Sequence, residues 1–240
     1  MNDPNDHAGA DLQQALQVLR DELCRQAPGL CAPVAAEIED RGGGYHILHF
    51  RCQDRACVIE AAGDGVTHAA FLWDDRPLFA SGFDAPAPLA TLLRRWVADR
   101  AMPSSIQAEH PELEIDPLAA YYERGIPLAG EFVRSWDAIE EFYREDGGEH
   151  FAAARTFIRT LRQAGYDQKL RAGQSMSIMG LSRSRDQGLH DDQPRLWFAF
   201  DATTMDVDAN FGSGGLKQHP IQLTSTIRQL LDTLADQELA

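Results

Sequence analysis

Positive charge is what this sequence is short of. Its 22 Lys and Arg stand against 37 Asp and Glu, giving a formal net charge of −15 and a pI near 4.8. An excess of this size repels nucleic-acid phosphates and anionic membrane surfaces, so neither is expected as a partner. It suits a protein that docks a basic surface, although surplus carboxylates also keep a protein dispersed without any partner. Long apolar runs are missing too: no stretch approaches the 18 residues of a membrane span. The first residues, MNDPNDHAGADLQ, have no basic start and no apolar run, which excludes a secretory signal and makes the cytoplasm, with reduced thiols, the expected compartment.

Cysteine is sparse. Cys24, Cys31, Cys52 and Cys57 fall at spacings that match no usual zinc pattern. Cys52 and Cys57 flank Gln-Asp-Arg-Ala, a hairpin-sized gap that a disulfide would span; small buried thiols are the favoured reading. Catalytic motifs are absent as well. There is no G-x-S-x-G elbow, no P-loop and no dinucleotide glycine pattern after a strand. Gly212-Ser-Gly-Gly reads as a turn. No catalytic residue, cofactor or metal is therefore expected.

What is present is ordinary globular material, 44% hydrophobic. A lead over 1–9 reads as disordered. Leu12, Leu16, Leu19 and Leu23 then recur at helical spacing over 11–27. A β-rich stretch follows: a weakly alternating segment over 33–40, then strands over 45–52, 55–61, 66–73 and near 78–79, close enough together to pair as an antiparallel meander. A helix begins at Pro86–Pro88. The second half repeats the order: a helix over 150–164, strands over 175–183, 195–201 and 205–211, a short strand near 216–217, and a helix over 221–237. RLWFAFD alternates poorly, as a central strand covered on both faces would. The expected architecture is α+β: two similar halves, 10–101 and 150–240, each a helix, an antiparallel sheet of about four strands and a helix, joined by an acidic, aromatic-rich connector over 102–149.

The connector carries the strongest functional signal. Helices are expected over 116–124 and 135–144. On the second, Asp137, Glu140, Glu141 and Glu145 crowd one side, while Trp136, Ile139 and Tyr143 fall together on another. Tyr and Trp beside acids suit the Arg and Lys of a partner, so Trp136, Asp137, Glu140, Glu141, Tyr143 and Glu145 are candidate partner-binding residues. A solvated acidic face over a packed aromatic underside is the alternative. Asp186, Asp191 and Asp192, in the loop after Arg183 and Arg185, are further partner-binding candidates. With His190 they also form the most ligand-like cluster in the chain, although the spacing matches no calcium loop.

The segment around Glu112–Tyr143, PELEIDPLAAYYERGIPLAGEFVRSWDAIEEFY, together with LSRSR and GLHDDQPRLWFAFD, resembles stretches of small cytoplasmic bacterial proteins associated with polymorphic toxin systems, among which immunity proteins are common. The resemblance implies a protein that neutralises a toxin domain by binding it, with a basic protein partner and no catalytic residues to carry over. Two other expectations stand beside it: an enzyme with a site between the halves at His190, Asp191 and Asp192, and an assembly protein that dimerises through sheet edges or helices.

Overall fold

The structure is a computed structural model that describes residues 4–28, 34–42, 45–61, 66–145, 151–185, 193–212 and 215–239. The chain divides into two units, Met1–Glu123 and Arg124–Ala240. In the first, α1 (Pro4–Gln26) buries Leu16 and Leu23, two turns apart on one stripe. Five strands follow: β1 (Ala35–Asp40), β2 (His46–Cys52), β3 (Arg55–Ala61), β4 (Thr67–Trp73) and β5 (Arg76–Phe83). They pair in sequence order, every neighbour antiparallel. The β4–β5 turn has φ of 54° at Asp74 and 64° at Asp75, which is what a two-residue hairpin of the right twist demands, and Asp tolerates it. Leu48, Phe50, Cys57, Ile59, Ala69 and Phe71 alternate onto the buried face. α2 (Pro86–Leu93) covers that face with Leu89, Leu92 and Leu93 and runs into one π-helical turn, Arg94–Ala98, which buries Trp96 and Val97. Two short helices, α3 (Pro103–Glu109) and α4 (Ala119–Glu123), close the same core with Ile106 and Tyr122.

The second unit opens with α5 (Pro127–Glu145) and α6 (Ala152–Gln163). Its sheet is again a five-stranded antiparallel meander: β6 (Arg171–Ser175), β7 (Ile178–Ser182), β8 (Arg195–Phe200), β9 (Thr204–Ala209) and β10 (Lys217–Pro220). α7 (Ser225–Ala235) ends the unit, its start capped by Thr224 Oγ1, which accepts from the Ile227 amide at 3.3 Å. Ala154, Phe157, Ile158 and Leu161 of α6 and Ile227, Leu231 and Leu234 of α7 pack on Met179, Leu181, Leu196, Phe198, Met205 and Val207. Both edges of this sheet are managed. β10 is short and ends in Pro220. β6 is covered by α5: the Ala172 amide donates to Ser135 Oγ at 2.9 Å, and the Trp136 indole N–H donates to the Leu170 carbonyl at 2.8 Å.

The α+β class and the two sheet-bearing halves are as the sequence pattern implied, with differences of detail. Each half has five strands, not about four. The extra strand in the second half, β6, precedes the expected 175–183 strand, whose start is instead the turn where Met176, at φ 55°, leads β6 back into β7. The helix expected from residue 11 begins at Pro4, so most of the expected disordered lead is helical. The expected connector is not a separate body. Its first part, with Ile106, Leu113, Leu118 and Tyr122, completes the first core, and its last part, with Trp136, Ile139 and Tyr143, belongs to the second.

Candidate partner-binding surfaces

The acidic helix of the connector is α5, and its aromatic side is core. Trp136 and Tyr143 are fully buried, and the Tyr143 hydroxyl donates to the Ser177 carbonyl at 2.8 Å. This corrects the expectation that they touch a partner: their apolar area is already spent on the second sheet. Burial also drives the Tyr143 phenol far above its ordinary value. The acids face out but are largely matched. Arg162 of α6 reaches Asp137 at 2.7 Å, Glu140 at 2.5 Å and Asp167 at 3.4 Å. Burial works against the charge on Arg162, yet its bonds to Asp137 and Glu140 hold its pKa above the usual value. Glu141 pairs with Arg144 at 2.9 Å, and Glu145 lies 3.6 Å from the same guanidinium. α5 is thus a solvated ion-pair surface more than a bare acidic one.

The other candidates, Asp186, Asp191 and Asp192, lie outside the described residues, as does His190. The two arginines before that loop have partners elsewhere. Arg185 meets Glu131 of α5 through Nη2 at 2.8 Å and Nε at 3.1 Å, and Arg183 donates to the Ala235 carbonyl at 2.6 Å. Glu131 has a side chain only 3% exposed, so this pair is a structural clasp between α5 and the end of β7.

The surface that the sequence reading passed over is the second face of the second sheet. β8 is not covered on both sides: Leu196 and Phe198 enter the core, while Arg195, Trp197 and Ala199 point to the open face. β9 alternates the same way, with Met205, Val207 and Ala209 inward and Asp206 and Asp208 outward. Strand register puts Gly173, Gly180, Trp197 and Asp208 in one row across β6–β9. One flanking row holds Arg171, Ser182 and Arg195; the other holds Ser175, Ile178, Ala199, Asp206 and Gln218. Asp206 and Asp208 have no side-chain partner among the described residues.

Trp197 is held flat. A Cβ on Gly180 would lie 2.3, 2.6 and 2.8 Å from Cζ3, Cε3 and Cη2 of its indole. Three adjacent ring atoms at nearly equal distance put that point over the ring's face, so the indole lies across the Gly180 backbone with its other face outward. Gly173, next in the row, has nothing within 4 Å of its own Cβ position. The result is a trough of about 360 Å³, lined by Gly173 and Gly180 below, Trp197 on one side, and Ser135 and Ala138 of α5 on the other. The alternation of β8 and β9 was the signal that could have found this face; Leu196 and Phe198 flanking Trp197 hid it.

The first unit also concentrates charge and aromatics, for a different purpose. Arg55 is 1% exposed, its guanidinium carbon 3.5 Å from the Trp73 ring centre and 4.0 Å from that of Trp96. It donates to the Ala101 carbonyl at 3.3 Å, and burial pulls its pKa down to about 10. Asp54 beside it accepts from the Trp73 indole at 2.9 Å and faces Arg100 at 2.7 Å. With Arg55 itself shut off from solvent, this is a packing device. Cys57 is buried on the core face with its thiol pushed well up, and both it and Cys52 are free, so no bridge spans the hairpin. Cys24 is disulfide-bonded, contrary to the expectation of reduced thiols, and its partner lies outside the described residues.

Among the described residues, no group of three or more His, Cys, Asp or Glu is placed to hold a metal ion, and no helix is long and apolar enough to cross a membrane. Comparison of the chain with protein-family models, with curated proteins and with solved structures finds no match.

Proposed function

We propose that this chain is a binding protein of the immunity type, which neutralises a basic toxin domain by covering it with the open face of the second sheet. The observation that carries this reading is the pairing of an outward-facing, immobilised Trp197 with two unpartnered carboxylates, Asp206 and Asp208, on one open sheet. Tryptophan is among the residues that most often anchor interfaces, and carboxylates around it select a basic partner and speed its approach. The net charge of −15 acts in the same direction at longer range. The resemblance of 112–143 to immunity proteins supplies the biological setting, which places the protein in the cytoplasm, where a toxin made by the same cell must be restrained. The disulfide at Cys24 is the observation that pulls toward an oxidising compartment instead.

The test is co-expression with the basic toxin domain that this reading expects to be encoded beside the gene. The chain should restore colony formation and bind the purified domain in a complex that weakens with salt. Asp206→Asn with Asp208→Asn should weaken that complex about tenfold. Equal killing with and without the chain would remove the proposal.

A further inference from the structure

We infer that the trough beside Trp197 receives an arginine side chain of the basic partner. This rests on the reading of the open sheet face given above and names the group it recognises. The trough's volume, about 360 Å³, lies at the bottom of the range of roughly 300–1,000 Å³ for small-molecule pockets. It is also open along its length, as suits a side chain delivered by a partner. The floor is Gly173, with free space above it and the Trp197 ring lying over Gly180 beside it, so nothing rises from β6 to block a long aliphatic stem. The wall is the outward face of the Trp197 indole, and planar guanidinium is the cation that stacks best on such a face.

Charge decides between a cationic and an anionic occupant. Asp208 neighbours Trp197 in register, and Asp206 stands in the flanking row. α5 runs alongside β6 in the same direction, Ser135 bonding Ala172 and Tyr143 bonding Ser177. Glu141 and Glu145, with the Arg144 they share, therefore lie toward the Ser175 end, the same end as Asp206, so two carboxylates and one guanidinium leave that end of α5 net negative. Two arginines stand at the opposite end. Arg171 lines the trough at that end, where its guanidinium is engaged in donating to the Arg185 carbonyl. Arg195, with its guanidinium carbon 5.9 Å from the Trp197 ring centre, is the chain's own guanidinium at the rim of the platform. An incoming arginine would take the ring and repel Arg195, whereas an incoming carboxylate would be drawn to it. That opposition gives the test its sign.

The full chain is titrated at low salt with hexa-arginine and hexa-lysine peptides, following the indole signals by NMR and heat by calorimetry. Hexa-arginine should shift the Trp197 indole. Gly173→Val fills the trough at a position with free space above it and changes no charge. It and Trp197→Ala should each weaken hexa-arginine binding roughly fivefold while leaving hexa-lysine binding and the thermal midpoint little changed. Arg195→Gln should tighten hexa-arginine binding. If Gly173→Val and Trp197→Ala bind as the parent does while Asp206→Asn with Asp208→Asn weakens binding, the trough is not the site, and the open-face reading survives without it. If the two asparagines also change nothing, both readings fall. Weaker binding on Arg195→Gln would show that the trough prefers an anion and would overturn the inference.

Discussion

The two halves share a plan and differ in what they do with arginine and tryptophan. Each has two tryptophans: Trp73 and Trp96 in the first, Trp136 and Trp197 in the second. In the first half both rings, set at 78° to each other, pack on the Arg55 guanidinium, and the Trp96 indole N–H is shared between the carbonyls of Ala56 at 3.0 Å and Leu72 at 3.1 Å. A cation and two aromatics are thereby consumed in joining β3, β4 and the turn after α2. In the second half the roles separate. Trp136 helps tie α5 to the sheet, Arg162 and Arg185 are spent on carboxylates, and Trp197 is left on the open face. The same residue types serve as packing in one half and stay available for recognition in the other. What distinguishes the two uses is whether the ring is boxed in from both sides.

The sharpest way to break this comparison is to delete the second half's two tryptophans in turn. Trp136→Ala removes a fully buried ring and leaves the Leu170 carbonyl without its donor, so it should cost about 4 kcal/mol. Trp197→Ala should cost less than about 1 kcal/mol, because only one face of that ring is packed. Chains labelled with fluorotryptophan, unfolded in urea, report each half through its own signals. Equal losses for the two substitutions would mean that Trp197 is a core residue after all.

Arg55→Ala should come next, at about 3 kcal/mol, because it opens a cavity between Trp73 and Trp96 and removes two cation–ring contacts. Arg55→Met should recover more than half of that loss, since a buried cation already carries a desolvation cost that an apolar chain of similar length avoids. The transition of the first half should move and that of the second should not. If Arg55→Met were as damaging as Arg55→Ala, charge rather than volume would be holding this cluster together.

Two glycines offer a finer comparison within one row. Gly180→Ala should cost about 2 kcal/mol, because the new methyl meets the Trp197 ring at 2.3 Å and must push it off the sheet. Gly173→Ala should be neutral or slightly stabilising: its Cβ meets nothing, and alanine lowers the entropy of the unfolded chain. Thermal melting of the two variants measures the difference directly.

How far the sequence could be read follows from the same residues. Helices with stripes such as Phe157, Ile158 and Leu161 were legible, because periodicity of 3.6 needs no partner to be seen. The β6–β7 hairpin was not, since Met176 adopts its positive φ without the Gly or Asn that announces a turn. The acidic side of α5 was visible, yet Arg162, which matches Asp137 and Glu140, comes from α6, where no local pattern points to it. The open face of the second sheet was hidden for a related reason. Trp197 and Phe198 are both large and apolar, and only strand register says which one faces the core.

The smallest effect should appear in alkali and should separate the halves by their tyrosines. Tyr166, 2% exposed, has its phenol pushed up to about 12 by burial and by the hydrogen bond it donates to Asp232 at 2.8 Å. In the unfolded chain the same group ionises near pH 10. Between those values the folded state keeps a proton that the unfolded state has lost. The associated stability is therefore complete below pH 10 and falls away as the pH rises toward 12. Tyr143, shifted the same way by burial, adds to the decline. In the first half Tyr45, also raised, is exposed, so its shift should contribute far less. Urea midpoints from the fluorotryptophan signals at pH 9 and pH 11 should drop for the second half. Tyr166→Phe should shrink that drop without removing it, because Tyr143 remains. A drop of equal size in both halves would place the alkaline sensitivity elsewhere.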